Sequence, residues 1–152
     1  MAGKSGNPKV EIKSLSLRTV HIPIEGISPL IVHAWSEKAK RQMLEKQMKL
    51  TKPKKEAKDP EADFQASLYK FEDGRTGFPA AAFKAAIVGA GRLFDGIPMT
   101  HLKLAVRVNA VDPSGLIEIK GDYRLREDMV RLETGVADIR YRAEYPVWSA
   151  VL

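Results

Sequence analysis

From Leu102 onward the chain follows a two-residue period, and this narrows its choice of folds more than any other feature. Leu104, Val106, Val108 and Ala110 alternate with Lys103, Ala105, Arg107 and Asn109, as on a strand that buries one face. Asp112-Pro113-Ser114-Gly115 supplies a turn, and Leu116, Ile117 and Ile119 begin a return strand. Two further extended segments are expected, around Met129 to Glu133 and Ile139 to Leu152. At the other end, Val10 to Arg18 alternates in the same way and Ile27 to His33 is a short apolar run. Pro23 and Gly26 between them predict a bend rather than one long strand.

Helical periods fill the middle. Ser36 is a suitable N-cap with Glu37 in the first turn, and Trp35, Ala39, Met43 and Met48 fall near one stripe with Leu44 beside it. That helix fails by Pro53, and Lys52 to Pro60 predicts a basic mobile loop at about 51–60. Asp59-Pro60 can open a short helix through Leu68. After Asp73-Gly74, Pro79 suits the first turn of a second long helix, with Phe83, Ile87, Ala90 and Phe94 as its buried stripe. Its small residues, Ala80 to Ala82, Ala85, Ala86, Gly89 and Gly91, would allow close packing on a sheet. The order β-β-α-loop-α-β-β-β-β predicts an α+β fold, a mostly antiparallel sheet with two or three helices on one face. With 152 residues the chain fits one domain over 10–152, behind a disordered lead at 1–9.

The absence of cysteine excludes disulfides, thiol catalysis and cysteine-ligated zinc, and makes the cytoplasm the natural compartment. No apolar run is long enough for a membrane span, and Met1 to Pro8 lacks the apolar core of a secretory signal. His21, His33 and His101 are not spaced to meet locally, and there is no H-x-x-x-H or Gly-x-Ser-x-Gly pattern. Asp59, Glu61 and Asp63 could bind magnesium or could cap a helix and solvate a loop. Gly89-Ala90-Gly91-Arg92 falls toward a helix end, the wrong place to cradle phosphate. The expectation is a protein without catalytic residues, metal or cofactor.

The formal net charge of +6 points to polyanions as partners. Lys52, Lys54, Lys55 and Lys58 sit in the loop, where mobile lysines can follow a phosphate backbone or merely solvate the surface. Arg124, Arg126 and Arg131 precede Arg140-Tyr141-Arg142, which on a strand places both arginines on one face and the tyrosine on the other. Such a strand can hold phosphates and stack bases, or its arginines can pair across strands with Glu127, Asp128 or Glu133.

Several segments together resemble an uncharacterised family of bacteriophage and prophage proteins. These are Ile27 to Lys40, Lys58 to Asp63, Gly77 to Ala86, Arg126 to Arg131 and Ala137 to Arg142. Gly77-Phe78-Pro79 opening an alanine-rich helix with Lys84 also resembles repeat-associated (RAMP) subunits, the RRM-derived proteins that coat guide RNA in CRISPR effector complexes. That resemblance implies a modified ferredoxin-like sheet with a basic insertion, binding single-stranded nucleic acid. The phage pattern runs on past Trp148 to a glycine-rich segment, so this chain resembles a C-terminally shortened relative whose open sheet edge could join a partner or a second copy. Three functions are therefore expected in order. The first is a phage-encoded, non-catalytic accessory protein binding single-stranded nucleic acid. The second is an anti-CRISPR-like inhibitor docking on a host nucleoprotein complex. The third is a metal-dependent nuclease using Asp59, Glu61 or Asp63.

Overall fold

Three short antiparallel ladders carry the strands of this α+β chain. They are seen in a computed structural model that describes residues 16–49, 57–110 and 112–152. In chain order the elements are β1 (Pro23–Glu25), β2 (Leu30–Val32), α1 (Glu37–Gln47), α2 (Pro60–Ser67), β3 (Tyr69–Lys70), β4 (Thr76–Pro79) and α3 (Ala80–Ala90). A 3-10 turn at Gly91–Leu93 leads to α4 (Met99–Ala105), then β5 (Leu116–Glu118), β6 (Arg124–Arg131), β7 (Ala137–Tyr145) and β8 (Ser149–Val151). The ladders run β1-β8, β2-β7-β6 and β3-β4-β5, and a single bridge between Lys120 and Ser149 ties the first to the third. No helix of the described residues is long and apolar enough to cross a membrane.

The local signals for α1 and α2 act as their chemistry predicts. Ser36 accepts from Ala39 N at 3.2 Å. Asp59 Oδ1 accepts from both Glu61 N and Ala62 N at 3.1 Å, with Pro60 at the first helical position. β7 extends from Ala137, where Ile139 was the expected start, and β6 from Arg124, where Met129 was. Residues 106–110, expected as a strand, have no regular structure, and Leu102 and Leu104 belong to α4. The alternation is real there: Val106, Val108 and Ala110 are half-buried between exposed Arg107 and Asn109, and Val108 and Ala110 pack against the core. No described strand pairs with them, and Leu104, in α4, is 87% exposed. Pro98, preceding α4, presets the backbone angle that starts the helix. The expected strand at Val10 to Arg18 and the lead at 1–9 lie outside the described residues, apart from irregular 16–18. So does most of the 51–60 loop.

The core lies where α2 packs on β7. Phe64, Leu68, Phe83, Ile117, Ala143 and Tyr145 are buried together there, with Val32 from β2 and Ala150 from β8. Ser67 Oγ ties helix to strand, accepting from Ala143 N at 2.9 Å and donating to Phe64 O at 2.7 Å. Tyr123 bridges Phe64 and Tyr145, with ring centroids 6.0 and 5.4 Å away. Gly77 allows β4 to run close beside β5: a Cβ there would lie 2.8 Å from Ile117 O and from the Phe71 ring. The alanine-rich α3 buries Ala80, Phe83 and Val88; of the expected stripe Phe83 is buried and Ile87 half-buried, whereas Ala90 and Phe94 face solvent. Close packing was expected on a sheet, but at Gly91 it is against a helix: a Cβ there would fall 2.3 Å from the Leu102 side chain of α4, whereas Gly89 has open space beside it.

Candidate functional site

Register in the β6–β7 hairpin sets the charge pattern. Arg124 lies opposite Glu144, Arg126 opposite Arg142 and Asp128 opposite Arg140, so these residues share one face with Asp138. Tyr141 and Ile139 occupy the other face with Leu125, Glu127, Met129 and Arg131. Glu144, its side chain only 6% exposed, receives Arg124 Nε at 2.8 Å and Arg126 Nη1 at 2.9 Å. Asp128 takes Arg126 Nε at 2.8 Å and Arg142 Nη1 at 3.5 Å. The Arg124 hydrogen bond, helped by Arg126, holds the Glu144 carboxyl below its ordinary range against the effect of its burial. Arg124, Arg126 and Arg142 are thus tied into cross-strand ion pairs. Asp128, one of the three acids expected to do this, takes part, and Glu144 replaces the other two.

Lys58, Arg140 and Tyr141 meet elsewhere, in a groove of about 1180 Å³ between α1, the start of α2 and the edge of β7 not covered by β2. Lys58 Nζ reaches the Asp138 carboxylate and the Ile139 carbonyl, fixing the chain ahead of α2 against that edge. Arg140 Nε lies 3.7 Å from Asp138. Lys46 of α1 and Lys49, just past its end, line the groove, and neither makes an ion pair among the described residues. Lys52, Lys54 and Lys55 lie outside the described residues, and Arg131 sits exposed at the end of β6, beside Leu132, which lines the groove.

Sequence reading treated Trp35 as part of the buried stripe of α1. It lines the groove instead, 59% exposed, with Lys40 Nζ 5.9 Å over its ring. Its place before the N-cap was the available signal, because that residue packs on the fourth helical position and not on the helix stripe. α1 buries no residue at all, and Met43, Leu44 and Met48 face solvent. His33 also lines the groove. Burial, and then the charges of Arg142 and Arg140, lower it below its ordinary value, with Asp63 opposing.

A second, smaller concavity of about 510 Å³ lies between α3 and α4, where Lys84, Arg92 and Lys103 surround Val88 with no acid among the lining residues. Lys84, Val88 and Arg92 recur at four-residue steps, the pattern that could have shown their common face. Of the three acids named for a metal, Asp59 caps α2, Glu61 accepts from Gln65 Nε2 at 3.0 Å, and Asp63 lines the groove. Among the described residues no group of three or more His, Cys, Asp or Glu could hold a metal ion. Comparison with protein-family models, curated protein sequences and solved structures found no match.

Proposed function

We propose that this chain is a non-catalytic accessory protein that binds single-stranded nucleic acid along the groove between α1 and β7. What carries the reading is the convergence of Lys46, Lys49, Lys58 and Arg140 with exposed Trp35 and half-buried Tyr141 in that groove. Cations track a phosphate backbone, and aromatic rings stack bases of any sequence. The net charge of +6 acts in the same direction. Arg124, Arg126 and Arg142 serve the reading indirectly, by making the strand that presents Arg140 rigid.

Anisotropy titration of labelled single-stranded DNA and RNA across salt concentrations tests it. Four phosphate contacts on a single strand give a log–log slope of about −3, so raising salt from about 50 to 200 mM weakens binding about 50-fold. Absence of binding at low salt refutes the reading.

His33 adds a pH signature. A phosphate entering the groove offsets the Arg140 and Arg142 charges that depress this imidazole, so the complex holds the extra proton more tightly than the free protein. The state binding more protons gains as pH falls, and affinity is expected to rise from about pH 7 toward pH 5, through the histidine range. His33→Ala should flatten that rise in the same titration.

One observation favours docking on a nucleoprotein as a second reading. Met43, Leu44 and Met48 of α1 stay exposed, as on a helix that waits for a protein surface. Tight binding to such a complex, with no affinity for free oligonucleotides, would select it.

A further inference from the structure

Among the described residues, β6 offers the longest strand edge without a partner, since β7 pairs only one side of it. Where the hairpin closes, Leu132 N donates to Val136 O at 2.9 Å. Counting back from that bond along the ladder, the backbone groups of Val130, Asp128 and Arg126 point to β7. Those of Leu125, Glu127, Met129 and Arg131 point outward. The side chains of these same four residues share a face of the hairpin with Ile139 and Tyr141, and Met129 is 75% exposed. Arg124, Arg126 and Asp128 are consumed by ion pairs within the hairpin. Glu127 and Arg131 are exposed and make no ion pair among the described residues. They lie two positions on either side of Met129.

We propose that β6 pairs antiparallel with β6 of a second copy, about a two-fold axis through Met129. This register sets Met129 against its own copy and Glu127 against the partner's Arg131, twice over, and it uses the outward hydrogen-bonding groups of both strands. Its neighbours are worse. Centring the axis on Glu127 opposes that carboxylate to itself, and centring it on Asp128 opposes Asp128 to itself and Leu125 to Arg131. The pairing fuses two three-stranded sheets into one and covers a long edge that would otherwise invite indiscriminate strand addition. The proposal does not depend on nucleic-acid binding, because Glu127, Met129 and Arg131 do not line the groove.

Sedimentation velocity over a dilution series tests it with Glu127→Lys and Arg131→Glu, circular dichroism confirming that both variants fold. The unmodified chain is expected to dimerise. Each variant alone should dimerise at least about tenfold more weakly, because two opposite-charge pairs become two like-charge pairs. An equimolar mixture of the variants should recover the dimer, because each supplies the charge that the other lacks. A chain that stays monomeric at every concentration overturns the proposal. So does a dimer indifferent to both substitutions, or a mixture that fails to recover.

Discussion

Combining Arg140→Glu with Lys58→Glu is expected to lower affinity for single-stranded oligonucleotides by about a hundredfold, at about 1.5 kcal/mol for each charge-assisted hydrogen bond to phosphate that is removed. The log–log salt slope should flatten by about 1.4, the share of two phosphates on a single strand. Arg140 reaches the groove from β7 and Lys58 from the chain ahead of α2, which it holds against β7 through Asp138 and Ile139. A general electrostatic effect must be separated from a local one. Lys70→Glu with Arg75→Glu removes the same charge from β3 and the turn after it, which line neither concavity. That control should weaken binding only a few-fold and leave the slope almost unchanged. Equal losses from the two double variants would show attraction without a site.

Tyr145→Ala is expected to destabilise the fold by about 3–5 kcal/mol, a value typical of deleting a buried aromatic ring. Tyr145 is 0% exposed, faces Leu30 across the β2–β7 ladder and packs against Tyr123. Its hydroxyl makes no hydrogen bond of normal geometry, although Thr76 lies beside it, and burial raises the phenol above its ordinary value. Tyr145→Phe should therefore cost nothing, or even stabilise the fold by up to about 1 kcal/mol, because it removes a buried group that found no acceptor. Urea denaturation followed by circular dichroism measures both. A Phe variant as unstable as the Ala variant would mean that the hydroxyl, not the ring, holds this part of the core.

How much of this was legible depended on whether the signal was local. Asp59-Pro60 and Ser36-Glu37 announced their helices because an N-cap acts within four residues. The β6–β7 hairpin was half visible: Arg140 and Arg142 do share a face, but their partners were set by a register that no local pattern records. α4 was missed because Leu102, Leu104 and Val106 satisfy a strand pattern, whereas Met99 and Leu102 also fit a helical step of three. β1, β2 and β8 are each three residues long and exist only through distant partners. The groove was invisible for the same reason. Lys58 was named with the loop and Arg140 with its strand, while the groove's walls come from α1, α2 and β7.

The pairing of β1 with β8 and of β2 with β7 also dictates an order of events during synthesis. Residues 23–32 leave the ribosome more than a hundred residues before 137–151 and find no strand to join until those follow. Until then α2 has no sheet beneath it, and Ser67 cannot receive the Ala143 amide. Folding of this sheet is therefore completed only when β7 and β8 return to β2 and β1. Contacts so distant along the chain predict a slow search, with apolar strands waiting in the open. A nascent chain halted before β7 should be held by chaperones and cut readily by proteases, and release of the remaining residues should end both.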